Sequence, residues 1–149
     1  MLGANPVRLA DAGNIVSRKV LGSIEYACAV AGAKLVLVMG HTRCGAVTTA
    51  VKLAGSPLPA SQTTGCQNVE PILLDIQESV DLQARAQFDE LSNDQQEDYV
   101  NQVARRNVQR TVQRTVEESE TLAKLASEGR IAVVGAMYDV TTGDIEFLN

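Results

Sequence analysis

The segment best equipped for chemistry is the octapeptide from Gly40 to Val47, which contains the single histidine of the chain. Its order is Gly-His-Thr-Arg-Cys-Gly-Ala-Val, so that His41 and Cys44 stand three residues apart. Across a tight turn this spacing allows an imidazole nitrogen and a thiolate sulfur to converge on one tetrahedral ion such as zinc. A helix N-terminus after the turn would also favour the thiolate that a metal requires. His41 and Cys44 are therefore candidate metal ligands.

The same octapeptide allows other interpretations. The interval from Gly40 to Gly45 matches the glycines of a phosphate-binding loop, but Ala46 and Val47 stand where that loop needs Lys and Ser or Thr, which excludes it. The His and Cys of the turn also fit a packed polar pair, because a structural zinc site normally has four ligands. A Cys-His nucleophile is a further alternative, and it needs an orienting group and an oxyanion hole that the sequence does not locate.

The remaining candidate residues lie near the turn or on the other two cysteines. Cys28 lies on an apolar helical face and is predicted to be a core residue, whereas Cys66, in a loop before a helix, is a further candidate ligand. Gly45 and Ala46 follow the turn directly and are candidate substrate-binding or anion-binding residues. Three widely spaced cysteines do not form a disulfide framework, and they indicate a reducing, cytoplasmic compartment.

The elements that must position the turn are a strand and two helices. The apolar run from Leu35 to Met39 predicts a strand buried on both faces of a parallel sheet. The turn follows the carboxyl end of this strand, where ligands bind in open α/β sheets. One helix is predicted before the strand, over residues 18–31 with Ser17 as its N-cap, and another after it, from Gly45 to Gly55.

The second half of the chain continues this alternation. Residues 56–65 are predicted to be a loop on composition, and a short helix follows near residues 68–80. The longest helical pattern runs from about residue 95 to residue 127, and its arginines are interpreted as a solvated face with i,i+4 ion pairs. Residues 131–138 predict a second buried strand, and residues 139–148 predict a turn that leads into an antiparallel edge strand.

These elements predict one α/β domain over residues 1–149, with residues 1–13 irregular. Its expected architecture is a parallel-sheet core with flanking helices and a C-terminal antiparallel edge strand. The net charge of −5 argues against a partner that is nucleic acid or an anionic membrane. Direct membrane insertion is not expected, since the most apolar stretch contains Lys34 and is shorter than the roughly 20 residues that a bilayer needs.

Several ordered motifs resemble one known family. The octapeptide, residues 12–14 (Ala-Gly-Asn) and residues 22–27 (Gly-Ser-Ile-Glu-Tyr-Ala) are similar to the central block of the β-class carbonic anhydrases, and the similarity continues to residues 134–143. The resemblance implies that family's fold and a zinc enzyme that interconverts carbon dioxide and bicarbonate. It further implies that His41 and Cys44 match two protein ligands of the zinc, and that the chain forms homodimers or higher oligomers.

One segment of the family pattern has no counterpart here. Members of the family carry Cys-x-Asp-x-Arg upstream of Ala-Gly-Asn, which supplies another zinc-binding Cys, and residues 1–13 contain no Cys. We therefore expect an N-terminally incomplete chain that lacks the usual first strand and has impaired or no carbon dioxide hydration. The alternative is a non-catalytic interaction or anion-sensing module, similar to the carbonic-anhydrase-like domains fused to anion transporters of the sulfate permease type.

Overall fold

Helices and strands alternate along the chain in the computed structural model, which describes residues 12–148. A turn at Ala12–Asn14 precedes the first helix. The helices are α1 (Arg18–Glu25), α2 (Gly45–Leu53), α3 (Ala60–Thr64), α4 (Glu70–Gln77), α5 (Leu82–Arg85), α6 (Asn93–Glu117) and α7 (Glu120–Ser127), and the strands are β1 (Leu35–His41), β2 (Ala132–Tyr138) and β3 (Ile145–Leu148).

The described strands form one mixed sheet in the order β1-β2-β3. β1 and β2 are parallel, and β2 pairs with β3 in the antiparallel direction. The predicted α/β fold and the antiparallel C-terminal edge strand are therefore confirmed. The expected loss of a first strand, and residues 1–11 of the segment predicted to be irregular, lie outside the described residues.

The helices that flank β1 begin as the sequence predicts. The Ser17 hydroxyl accepts a hydrogen bond from the Val20 N–H at 3.3 Å and caps α1. After Glu25 the helix continues as a π-helical turn over Tyr26–Val30. On the other side of β1, α2 begins directly at Gly45, as predicted. Both helices therefore agree with the predicted spans, apart from the widened last turn.

The prediction that β1 is buried on both faces is wrong. Leu35, Leu37 and Met39 are 56%, 40% and 37% exposed, whereas Val36 and Val38 pack against the helical cores. Side chains alternate across a strand, so one face of β1 contacts the helices while the other is open. An apolar run of five residues does not reveal this difference, because its composition is the same on both faces.

Close approach of α6 to the sheet depends on two glycines. A Cβ atom added at Gly40 would lie 2.6 Å from Val108 Cγ2, and one added at Gly135 would lie 2.9 Å from Val108 Cγ1. Both distances are too short for real contacts, so a larger residue would push α6 away from β1 and β2. The close packing brings α6 beside the carboxyl end of β1.

Two further boundaries differ from the predictions. The segment 56–65, predicted to be a loop, contains the short helix α3. The long helical pattern is divided into α6 and α7, and Ser119 caps α7 by accepting a hydrogen bond from the Leu122 N–H at 3.1 Å. Of the helices described, none has an apolar stretch long enough to span a membrane.

The arginines of α6 are not simply a solvated face. Arg110 and Arg114 both donate hydrogen bonds to the Asp75 carboxylate of α4, at 2.5 and 2.7 Å. Arg105 pairs with Glu146 of β3, and Arg106 donates to the Ser79 carbonyl at 3.0 Å. The predicted i,i+4 pairing describes Arg114 with Glu118. The sequence prediction was therefore wrong for most of this row, which connects α6 to its neighbours.

Candidate functional site

A cavity of about 280 Å³ lies at the carboxyl end of β1. Four parts of the chain bound it: the turn at Ala12–Asn14, the turn between β1 and α2, the first turn of α2, and α6. Its lining residues are Ala12, Gly13, Asn14, Gly40, His41, Cys44, Gly45, Ala46, Val47, Ala104 and Asn107. The structure therefore brings four of the predicted residues, His41, Cys44, Gly45 and Ala46, to one small cavity.

His41 is the last residue of β1, and one of its two ring nitrogens makes no hydrogen bond within the turn that follows. Its Nδ1 lies 2.9 Å from the carbonyl oxygen of Thr42. A carbonyl can only accept, so this hydrogen bond requires the proton to be on Nδ1. The lone pair of Nε2 is then available to a metal ion or a proton.

Cys44 occupies the N-cap position of α2 without acting as a cap. Its thiol makes no capping hydrogen bond, so the sulfur is available to other partners. The first backbone hydrogen bond of α2 runs from the Thr48 N–H to the Cys44 carbonyl at 2.9 Å. The N–H groups of Gly45 and Ala46 precede that bond and have no acceptor within the helix. Such a helix end favours negative charge at the cavity.

The turn between His41 and Cys44 is attached to the end of β2. The Thr42 N–H donates to the Tyr138 carbonyl at 3.0 Å, and the Thr42 hydroxyl accepts from the Val140 N–H at 3.0 Å. These two bonds continue the parallel pairing of β1 and β2 beyond His41. The position of the candidate ligands thus depends on residues almost 100 positions later in the chain.

The opposite wall of the cavity is fixed by α6. Asn107, which is 2% exposed, donates through Nδ2 to the Gly13 carbonyl at 2.6 Å, and the Thr111 hydroxyl donates to the Asn14 carbonyl at 2.7 Å. Gly13 has φ +78°, and a Cβ there would lie 2.5 Å from Ile76 Cδ1. Glycine is therefore required at this position for both its backbone angle and its space.

The described residues bring two zinc-type donors together, His41 and Cys44, and not more. No cluster of three His, Cys, Asp or Glu side chains suited to a metal ion occurs within residues 12–148. Cys66 is exposed and does not line the cavity. Zinc in a catalytic site has three protein ligands, so the described part of the chain does not complete a zinc site.

Cys28 belongs to the core, as its position on an apolar helical face predicted. It is 5% exposed and packs with Leu21, Leu122 and Leu125. Burial raises the pKa of the Cys28 thiol and outweighs the lowering effect of Lys34. The thiol is therefore not suited to ligation.

Sequence reasoning missed the contribution of α6 to the cavity. Ala104 and Asn107 line it, yet they lie 60 and 63 residues after Cys44. Asn107 does carry a signal, because it falls at helical spacing on the face of α6 that buries Val100, Val103 and Val108. A polar residue on such a face needs buried hydrogen-bond partners and marks a candidate position.

Most of the chain is similar to known proteins of one family. Residues 8–145 match the carbonic anhydrase family. Carbonic anhydrase 2 of Mycobacterium tuberculosis is 32% identical over 133 residues, which cover 89% of this chain and 57% of that protein. The crystal structure of the β-carbonic anhydrase CafA of Aspergillus fumigatus is similar with a TM-score of 0.72 at 23% identity, over 93% of this chain and 61% of that chain.

A tetrameric β-carbonic anhydrase from Sordaria macrospora has a TM-score of 0.69 at 21% identity, over 93% of this chain and 65% of that chain. The chain thus spans 57% of the length of the curated relative and less than two thirds of each of these structures. The family match extends over most of the residues that build the sheet and the cavity. This chain therefore belongs to the β class of the carbonic anhydrase family.

Proposed function

We propose that this chain is a β-carbonic-anhydrase-like domain whose cavity takes carbon dioxide and bicarbonate, with reversible hydration as its reaction and zinc as its cofactor. The observation that carries the proposal is the meeting of the His41 imidazole and the Cys44 thiol at one cavity of about 280 Å³. The two donors are fewer than a catalytic zinc requires. We therefore propose that hydration is weak or absent in this chain unless a further ligand is supplied.

The chain's own residues support binding of a small anion. The free N–H groups of Gly45 and Ala46 at the N-terminus of α2 attract negative charge. Nε2 of His41 can accept a proton or bind a cation, because Nδ1 carries its proton toward Thr42. The proposed cytoplasmic location rests on the three free cysteines, one of which is exposed.

A titration with zinc tests the enzymatic proposal. Bound zinc is measured by equilibrium dialysis and carbon dioxide hydration by stopped-flow, with the Cys44→Ser and His41→Ala variants beside the wild type. We expect weak zinc binding that both variants abolish, and a small hydration rate that depends on zinc. The matched control is Cys66→Ser, which should bind zinc as the wild type does. Absence of bound zinc together with no rate above buffer would contradict the proposal.

The second candidate is a non-catalytic module that senses an anion, and the incomplete donor set favours it. In this case metal-free protein binds bicarbonate at the α2 N-terminus, and the module serves an anion transporter. Titration with bicarbonate, followed by amide chemical shifts, should then move the signals of Gly45 and Ala46. Unchanged shifts at millimolar bicarbonate would count against this candidate, as would a Cys-x-Asp-x-Arg segment in the upstream reading frame.

Self-association into dimers or higher oligomers is also proposed. The support is an apolar sheet face, formed by the exposed side chains of Leu35, Leu37, Met39, Tyr138, Ile145 and Phe147. The register puts these residues on the face of the sheet opposite to α6. Contiguous apolar surface of this kind marks interaction sites in soluble proteins.

A further inference from the structure

Arg43, between the two candidate ligands, has an unusual backbone conformation. Its φ angle is +58°, in the left-handed region that non-glycine residues rarely adopt. The conformation reverses the chain within the His41–Cys44 turn, so it sets the direction in which Cys44 leaves the strand. A residue in this region needs surrounding contacts that hold it there.

Those contacts come from one face of α6. The Arg43 backbone N–H donates to Asn101 Oδ1 at 3.0 Å, and Arg43 Nε donates to Glu97 Oε1 at 2.8 Å. Asn101 and Glu97 are four residues apart in α6, so their side chains lie on the same face of the helix. α6 therefore contacts the turn at Arg43, whereas the end of β2 contacts it at Thr42.

The two contacts differ in what they constrain. The Arg43 and Glu97 side chains are 56% and 42% exposed, and ion pairs this exposed contribute little. The Asn101 amide binds the peptide group of Arg43 itself, and it therefore restricts the rotation that would return φ to negative values. Asn101 is the main restraint and Glu97 is secondary.

We propose that Asn101, assisted by Glu97, is a positioning residue that keeps Arg43 left-handed and thereby sets the separation of the His41 imidazole and the Cys44 thiol at the cavity. The importance of that separation rests on the proposed function. The restraint itself is a property of the metal-free chain, and it is measured there.

The first test compares Asn101→Ala with the parent in a Cys66→Ser background, where Cys44 is the accessible thiol and Cys28 is buried. Loss of one hydrogen bond should raise the amide exchange rate of Arg43 roughly threefold to tenfold and change the iodoacetamide alkylation rate of Cys44 at constant pH. Asn101→Asp keeps the acceptor oxygen and should restore both rates. Glu97→Gln, at an exposed position that tolerates substitution, should produce smaller changes in the same direction.

The decisive test uses Arg43→Gly. Glycine adopts positive φ without strain, so in this background Asn101→Ala should no longer alter the alkylation rate of Cys44. The inference is overturned if the Asn101→Ala effect persists in full beside Gly, or if Asn101→Ala and Glu97→Gln both leave the two rates at the parent values. Should Asn101→Ala not fold, Asn101→Leu, which keeps the size of the side chain but lacks the acceptor oxygen, replaces it in both tests. Failure of zinc binding or hydration contradicts the proposed function and leaves these metal-free readouts unaffected.

Discussion

At the scale of single residues, the site depends on positions that accept only one kind of side chain. Val108 and Met137 occupy the space that a side chain at Gly40 would need. A hydrogen atom at this position therefore allows α6 to contact the end of β1, next to His41. Gly13, in the opposite wall of the cavity, is restricted in the same way, because a Cβ atom there would lie too close to Ile76. The cavity thus owes its shape to close contacts as much as to its polar groups.

Gly40→Ala should destabilise the protein by about 1–3 kcal/mol, because the added methyl group would lie 2.6 Å from Val108 Cγ2 and 2.8 Å from Met137 Sδ. The free energy of unfolding, measured by urea denaturation, checks this. Gly22→Ala in α1 is the matched control, since nothing lies within 4 Å of its Cβ position. It should stabilise by about 0.5–1 kcal/mol through helix propensity. Equal effects of both variants would contradict the packing argument.

At the scale of elements, α6 connects most of the described structure. It packs on β1 and β2, it holds the Gly13–Asn14 turn through Asn107 and Thr111, and it binds α4 through Asp75. Burial raises the pKa of Asp75, but hydrogen bonds from Arg110 and Arg114 prevail and hold that pKa below its usual value. The carboxylate therefore stabilises the contact of α4 with α6 in its charged form.

Asp75→Asn should destabilise the protein by about 1–2 kcal/mol at pH 7, because two arginines lose a half-buried acceptor. A carboxyl whose folded pKa is lowered contributes stability above its ordinary pKa of 3.8, and this contribution is lost as the pH falls through the folded pKa. The variant should therefore lose less stability than the wild type below about pH 4. Thermal unfolding from pH 7 to pH 2 measures both effects.

The control for this prediction is Asp89→Asn. Asp89 pairs with Arg85 in the i,i+4 manner, but its side chain is 76% exposed. Removal of such a pair should change the free energy of unfolding by less than about 0.5 kcal/mol. If the two variants are equally destabilised, the low exposure of Asp75 does not explain the contribution of its ion pairs to stability.

At the scale of the whole molecule, the helices that contact the sheet lie on one side of it, and the apolar sheet face lies on the other. The face runs across all three described strands, from Leu35 on β1 to Phe147 on β3. Its side chains are exposed by 37% or more. A second copy of the chain that covers this face would remove apolar surface from water.

The wild type should therefore give oligomers in multi-angle light scattering, and Leu37→Glu combined with Phe147→Glu should shift it toward monomer. Both side chains are exposed, so the double variant should keep its far-UV circular dichroism. Leu82→Glu on α5 is the control, since Leu82 is as exposed as Phe147 but does not belong to the sheet. A monodisperse wild-type monomer, or dissociation by the control alone, would argue against association through the sheet.

Much of the local structure was predictable because it depends on neighbouring residues. The Ser17 cap, the start of α2 at Gly45 and the antiparallel return of β3 all follow from short-range patterns, and the structure agrees with them. Ser119 could also have been recognised as a helix N-cap, but the apolar residues up to Val116 and those from Leu122 onward each keep helical intervals. Periodicity alone therefore merged two helices.

The sequence by itself determined the α/β class, the family and the His41–Cys44 turn, because hydrophobic periodicity and motif order are written in consecutive residues. Tertiary structure decided which face of β1 is open, which helix closes the cavity, and which donors meet there. Asn101 and Asn107 act on residues 58 and 94 positions away, and no local pattern encodes such pairings. The physical reason is that these contacts follow from the close approach of α6 at Gly40 and Gly135, which exists only once the sheet has formed.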